Sequence, residues 1–134
     1  AEELEMGYRT SIIKKKGYLV LGAVIVLEQG EQEVIKARMK ELTEQRVSKQ
    51  PLEYPSAGST FKRPEGYFAG KLIMDAGLAG ACVGGAQVSE KHAGFVINTG
   101  NATAADVIAL TDAVRDKVFE KYGVKLELEI KQLG

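Results

Sequence analysis

The sequence predicts an α+β fold. Some segments carry apolar residues at helical spacing, and others are β-branched or alternate apolar with polar residues. The two kinds do not succeed one another in a regular βαβ rhythm, which separates this class from a wound parallel sheet.

Tyr18 to Leu27 reads Y-L-V-L-G-A-V-I-V-L, apolar on both faces and bounded by Gly17 and Gly30. Such a run predicts a strand covered on both sides. Tyr8 to Ile13 is expected as a shorter extended segment, and Lys14, Lys15 and Lys16 as a solvated turn. In the polar stretch Glu31 to Arg46, Ile35, Met39 and Leu42 recur at helical spacing and predict an amphipathic helix. Gln50 to Pro64 holds all three prolines and is expected to be a loop.

Ala69 to Ala76 predicts a short helix with Leu72 and Ile73 as apolar contacts and Gly77 as a left-handed cap. Gly94 to Asn98 predicts a short buried strand. Asn101 and Thr103 offer side-chain oxygens to start another helix, with Asp106 three residues after Thr103. Val107, Leu110, Val114 and Val118 share one face of that helix, Gly123 ends it, and Val124 to Leu133 alternates as a final strand. Residues 1–16 contain no self-contained unit, and few segments could flank a two-sided strand at 18–27. The sequence therefore reads as a piece of something larger.

Composition sets limits on function. The 134 residues are 45% apolar and 27% charged, with no net charge. Nothing in that balance draws the chain to nucleic acid or to an anionic membrane. The longest apolar run is too short to span a bilayer. Cys82 is the only cysteine, so it can neither staple the fold nor build a zinc site, and no metal site is expected. Its small-residue setting, Ala79 to Val83, predicts a buried, inert thiol in a reducing compartment.

Several segments concentrate chemistry. Taken singly, each has an ordinary reading. Ala57-Gly58-Ser59 fits a turn whose serine caps an amide. It is not a hydrolase elbow, because Phe61 stands where the second glycine would be. Gly84-Gly85 fits a bend or a close approach of backbone to a ligand. His92, the lone histidine, fits a hydrogen-bonded polar residue, Arg9 a surface cation, and Glu127 and Glu129 an exposed strand face. There is no G-x-G-x-x-G and no P-loop. Together, a glycine-rich, proline-framed loop holding Ser59, Lys62 and Arg63 predicts an anion-binding site for a phosphorylated or carboxylated ligand.

Five motifs occur in order. They are Y-R-x-S at Tyr8, K-x-P at Lys49, A-G-S-x-F-K-x-P at Ala57, G-G-A-Q-V-S-x-K-H-A-G-F-x-x-N at Gly84 and L-E-x-E at Leu126. In that order they resemble the second half of the UDP-N-acetylenolpyruvoylglucosamine reductases of bacterial peptidoglycan precursor synthesis. The resemblance implies an oxidoreductase that reduces UDP-N-acetylglucosamine enolpyruvate to UDP-N-acetylmuramate, with FAD and NADPH as cofactors of a whole family member. It implies Arg9, Ser59 and Glu129 as catalytic residues: Ser59 as proton donor, Arg9 on the substrate carboxylate, Glu129 sharing in stabilising the enol. Lys49, Lys62, Arg63 and His92 are implied as substrate-binding residues. Arg63 stands where relatives often have asparagine, and His92 where some have glutamine.

The short link from Leu27 to Glu31 leaves no room for the tyrosine-bearing insertion of one class, so the shorter class is expected. Most of the family's flavin-binding segments precede Y-R-x-S. Residues 1–28 are therefore expected as a remnant of the FAD-binding domain and 29–134 as the carboxy-terminal substrate-binding domain. By itself this chain is expected to bind no flavin, to lack activity and to self-associate through an exposed sheet edge. The bacterial cytoplasm is the expected location, and neither nucleic acid nor membrane an expected partner. Two other functions compete: a nucleotide-sugar binding module without catalysis, and a structural domain in which Ser59, Arg9 and Glu129 do not converge.

Overall fold

Helix ends are where the sequence is read most directly in the computed structural model, which describes residues 2–133. The chain divides into two units, Ala1–Ile35 and Lys36–Gly134.

In the first unit a 3-10 turn, Glu2–Leu4, precedes a tight link in which Gly7 and Thr10 exchange backbone hydrogen bonds. Helix α1, Ile12–Lys16, follows and stops at Gly17, whose φ is 66°. Residues 8–13 are thus not extended. Arg9 turns the chain at φ 57°, and Lys14, Lys15 and Lys16 are exposed as expected, as the last turn of α1. The expected strand at 18–27 is also absent: no ladder forms there, and Leu21 and Val24 are 92% and 95% exposed. A strand exists only where another strand accepts its amides, and none of the described residues does so.

Helix α2, Gln32–Lys49, forms as its spacing predicts, but none of its residues is buried. Ile35, Met39 and Leu42 remain exposed.

The second unit is built on an antiparallel sheet. Strands β1 (Ser56–Ser59), β2 (Cys82–Val83), β3 (Ala86–Val88) and β4 (Phe95–Asn98) lie in the order β1-β4-β3-β2. Strand β1 lies inside the stretch expected to be all loop, short enough to be hidden between Pro55 and the turn residues that follow. Helices α3 (Ala69–Asp75) and α4 (Ala104–Tyr122) complete the unit. Leu72, Ile73, Leu110, Val114 and Val118 close over Ala86, Val88 and Val96, and Phe61 and Leu126 join the same core. Val107 packs at its margin. Strand alternation then turns Phe95 and Ile97 to the other face of β4, where they too are buried.

Expected signals appear at the helix ends. Gly77 takes φ 78° just after α3, and Gly123 takes φ 68° as the cap of α4. The α4 amino terminus is a reciprocal box: Thr103 Oγ1 accepts from Asp106 N–H at 3.1 Å, and Asp106 Oδ2 accepts from Thr103 N–H at 2.8 Å. The second cap oxygen comes from Asn98 rather than Asn101, accepting from the Gly100 and Ala102 amides.

Two further expectations change. Residues 124–133 form no continuous strand, only a single bridge, Phe61 with Leu128. Their backbone hydrogen bonds run to Thr60 and Lys62, on either side of Phe61, and the Leu126 carbonyl accepts from Arg115 Nε. Cys82 is exposed, because β2 is an edge strand, and its Sγ donates to the Gly80 carbonyl at 3.0 Å.

The capping box carries a pH signature. Hydrogen bonds from the Thr103 backbone and then its side chain hold the Asp106 carboxyl below the ordinary carboxylate range. A lowered folded value means stability that is present above the unfolded value and lost as pH falls through the folded one. The melting temperature should therefore be level above pH of about 5 and decline below about 4, the ordinary aspartate range. Asp106→Asn should flatten part of that decline in thermal melts at graded pH. An unchanged acid profile would remove the capping box as its source.

Candidate functional site

The sheet face opposite α3 and α4 bears a groove of about 500 Å³. Arg46 and Gln50 line it from the carboxy-terminal end of α2, Pro51, Leu52, Tyr54 and Pro55 from the connecting loop, Ser56, Gly58 and Ser59 from β1, and Phe95 from β4. Ser59 and Phe95 are cross-strand partners, so both side chains reach the same face. The hydroxyl thus stands at the rim of an aromatic floor. Gly58 takes φ 84°, a conformation that a side chain would strain, and its amide is 3.4 Å from Ser56 Oγ.

Thr60 sets where Ser59 stands. It is 2% exposed. Its N–H donates to the Gly94 carbonyl at 2.8 Å, its Oγ1 accepts from Val96 N–H at 2.9 Å, and its carbonyl accepts from Glu129 N–H at 2.9 Å. Here the chain leaves β4 and takes the carboxy-terminal segment as its partner. Lys62 N–H then donates to the Glu127 carbonyl at 2.8 Å. Two motifs far apart in sequence, A-G-S-x-F-K and L-E-x-E, become neighbours through these bonds.

The other residues singled out from sequence have definite places. Glu129 is half-buried beside Thr60. Lys62 Nζ meets Glu127 Oε2 at 2.6 Å, and that ammonium holds the Glu127 carboxyl below its ordinary range. The Arg63 guanidinium lies 4.0 Å from the centroid of the Phe68 ring and donates from Nε to the Tyr67 carbonyl. His92 Nδ1 accepts from Gly94 N–H at 3.1 Å, and its ring meets Phe95 edge-on. A Cβ on Gly94 would lie 2.9 Å from that ring, so the glycine makes room for the histidine. Lys49 ends α2 and is exposed. Of the predicted residues only Ser59 lines the groove. Arg9 belongs to the first unit, where its guanidinium is 5.8 Å from the Tyr8 ring centroid.

Arg46, Gln50 and Tyr54 were not among the sequence candidates. The signal available was spacing: Arg46 precedes Gln50 of the K-x-P motif by four residues, one helical turn.

The glycine pair Gly84-Gly85 is occupied by the fold. A Cβ on Gly85 would lie 2.3 Å from the Ala102 nitrogen, and one on Gly84 would lie 2.5 Å from Asp106 Cγ. These glycines let the β2–β3 turn press against the start of α4, and that helix end is filled by its own capping box. They therefore do not offer a pyrophosphate cradle.

Fold and groove define an α+β domain with a polar, cation-bearing groove on the face of its sheet away from α3 and α4. The profile described as UDP-N-acetylenolpyruvoylglucosamine reductase, C-terminal domain, matches residues 50–133. The chain belongs to that family. It is 66% identical to the UDP-N-acetylenolpyruvoylglucosamine reductase of Lachnoclostridium phytofermentans, over 99% of this chain and 43% of that protein. It is 63% identical to the Geobacillus thermodenitrificans reductase, over 99% of this chain and 44% of that one. The crystal structure of the Thermus caldophilus reductase superposes with a TM-score of 0.72 at 36% identity, covering 97% of this chain and 46% of that one. The chain thus spans less than half the length of these relatives.

Thr60→Val should lower stability by about 1–3 kcal/mol, because the buried Val96 amide loses its acceptor. Thr60→Ser, which keeps the hydroxyl, should retain most of it. Urea unfolding followed at the Val96 amide by hydrogen exchange measures both. Equal stability of Thr60→Val and the parent would show that this bond does not tie β1 to β4.

Proposed function

We propose that this chain is the substrate-binding part of an NADPH- and FAD-dependent reductase that converts UDP-N-acetylglucosamine enolpyruvate to UDP-N-acetylmuramate in the bacterial cytoplasm. Residues 1–28 belong on this reading to the flavin-binding domain and 29–134 to the substrate-binding domain. The observation that carries it is the Thr60 junction, which sets Ser59 at a cation-bearing groove and draws the Glu129 backbone to the adjoining segment.

The Gly84-Gly85 turn of this chain does not fit the flavin's diphosphate. The glycine-rich turn is filled by α4, and no dinucleotide fingerprint occurs in the sequence. In the relatives' class of enzyme the cofactors supply the hydride; this chain supplies binding, orientation and a proton. Addition of hydride to the vinyl group leaves enolate character beside the substrate carboxylate, and two kinds of group lower that barrier. Ser59 is the proton donor to the carbon next to the carboxylate. A serine hydroxyl is a weak acid, so it serves only a strongly basic carbon held against it. Arg9 neutralises the carboxylate and Glu129 helps hold the enol; Arg9 is assigned on its Y-R-x-S setting alone. Lys49, Lys62, Arg63 and His92 are the proposed substrate contacts, and Tyr54 adds an aromatic wall.

A second reading, a nucleotide-sugar binding module without chemistry of its own, is favoured for the isolated chain by the same filled glycine turn. The apolar run 18–27 supports self-association of isolated chains.

The mechanism is tested in a chimera in which this sequence replaces the matching part of the Lachnoclostridium phytofermentans relative. Ser59→Ala should leave flavin reduction by NADPH nearly intact while slowing reduction of the enolpyruvyl substrate by about 10²–10⁴-fold, the usual contribution of one placed proton donor. Stopped-flow absorbance separates the half-reactions, and equal loss in both would contradict the role.

The chain alone should retain no flavin after incubation with excess FAD and gel filtration. A visible flavin band near one per chain would overturn the division of labour proposed above.

A further inference from the structure

We infer that Arg46, held by Gln50, is a further substrate-binding residue that grips the diphosphate of the nucleotide sugar. This deepens the function proposed above and rests on it.

Arg46 and Gln50 are one turn apart at the end of α2. Gln50 N–H donates to the Arg46 carbonyl at 2.9 Å, so the helical bonding continues one residue past Lys49. Both side chains therefore share a face, and Arg46 Nε donates to Gln50 Oε1 at 3.2 Å. Among the described residues Arg46 is the one cation lining the groove, and no carboxylate lines it. A guanidinium pinned at Nε still offers its two terminal nitrogens, the edge that matches two oxygens of a phosphate group.

The ordinary reading is that Arg46, like Lys49, offsets the negative end of the helix dipole. That accounts for a cation near the last turn but not for one oriented by a glutamine into a groove. Ser59 lines the same groove. Its volume of about 500 Å³ is in the range of small-molecule sites, so one ligand can meet both residues. Arg46 would then position the substrate from its diphosphate while the chemistry proceeds at the other end, an orienting role rather than a catalytic one.

The test is titration of the chain with UDP, uridine and inorganic pyrophosphate, followed by calorimetry and by amide shifts of Gly58 and Ser59. Arg46→Gln should weaken UDP by roughly tenfold or more, the loss typical of a charged hydrogen bond, and leave uridine unchanged. Gln50→Ala should cause a smaller loss, again for UDP and not uridine. Lys40→Gln, about 9 Å further up α2, should change UDP binding by less than about twofold. If Arg46→Gln loses helical circular dichroism, Arg46→Lys takes its place; it keeps the charge without the fork and should still weaken UDP several-fold. UDP bound equally well by the parent and the Arg46 variants overturns this inference and leaves the proposed function standing. A folded parent chain that binds neither UDP nor uridine overturns both.

Discussion

Three hydrogen bonds at one buried residue organise the carboxy-terminal unit. Thr60 donates its amide to Gly94, accepts the Val96 amide at its hydroxyl and accepts the Glu129 amide at its carbonyl. A valine would fill the same volume but leave the Val96 amide without an acceptor in a low-dielectric setting. Through Thr60 the edge strand β1, the central strand β4 and the carboxy-terminal segment share one residue. The position of Ser59 follows directly, since it is the residue before the junction. The other buried polar side chains obey the same rule: Ser89 Oγ accepts from His92 N–H, and Thr111 Oγ1 donates to the Ile108 carbonyl.

The glycine-rich segment shows how a motif is absorbed by packing. Gly84 and Gly85 can be read as a place for a ligand's phosphates or as a place for another part of the chain. Here the second holds, because Asp106 and Ala102 occupy the space that a Cβ would need. His92 is used in a comparable way. Its ring fills the gap beside Gly70 and Gly94 and rests on Phe95, the floor of the groove. The histidine thus backs the groove floor, whereas the glycine pair serves the start of α4. The open side of the groove is lined by Ser59, Arg46 and the residues around Tyr54.

Helix α4 was legible in all but the Asn98 oxygen at its start, because its other determinants lie within a few residues of one another. Thr103 and Asp106 close one end, Gly123 the other, and Leu110, Val114 and Val118 recur every fourth residue between them. Ser59 and Glu129 were legible as members of motifs, but their proximity was not, since no local rule connects residues so far apart in sequence. Arg46 was hidden because a helix of charged and polar residues offers many cations, and only the groove distinguishes one of them. The exposure of Cys82 was hidden because small neighbours suggest burial, whereas β2 is an edge strand.

The sequence by itself determined the α+β class, the helices of the second unit with their caps, the buried strand β4 and, through its motifs, the family. Each rests on local chemistry: apolar period, capping oxygens, left-handed glycines, residues in fixed order. Tertiary structure alone decided which of the other segments become strands. The apolar run 18–27 has the composition of a strand and no partner among the described residues, while the unpromising Ser56–Ser59 becomes one beside β4. The reason is that a helix satisfies its backbone within itself, whereas a strand and a groove are made only when distant segments supply each other's hydrogen bonds and walls.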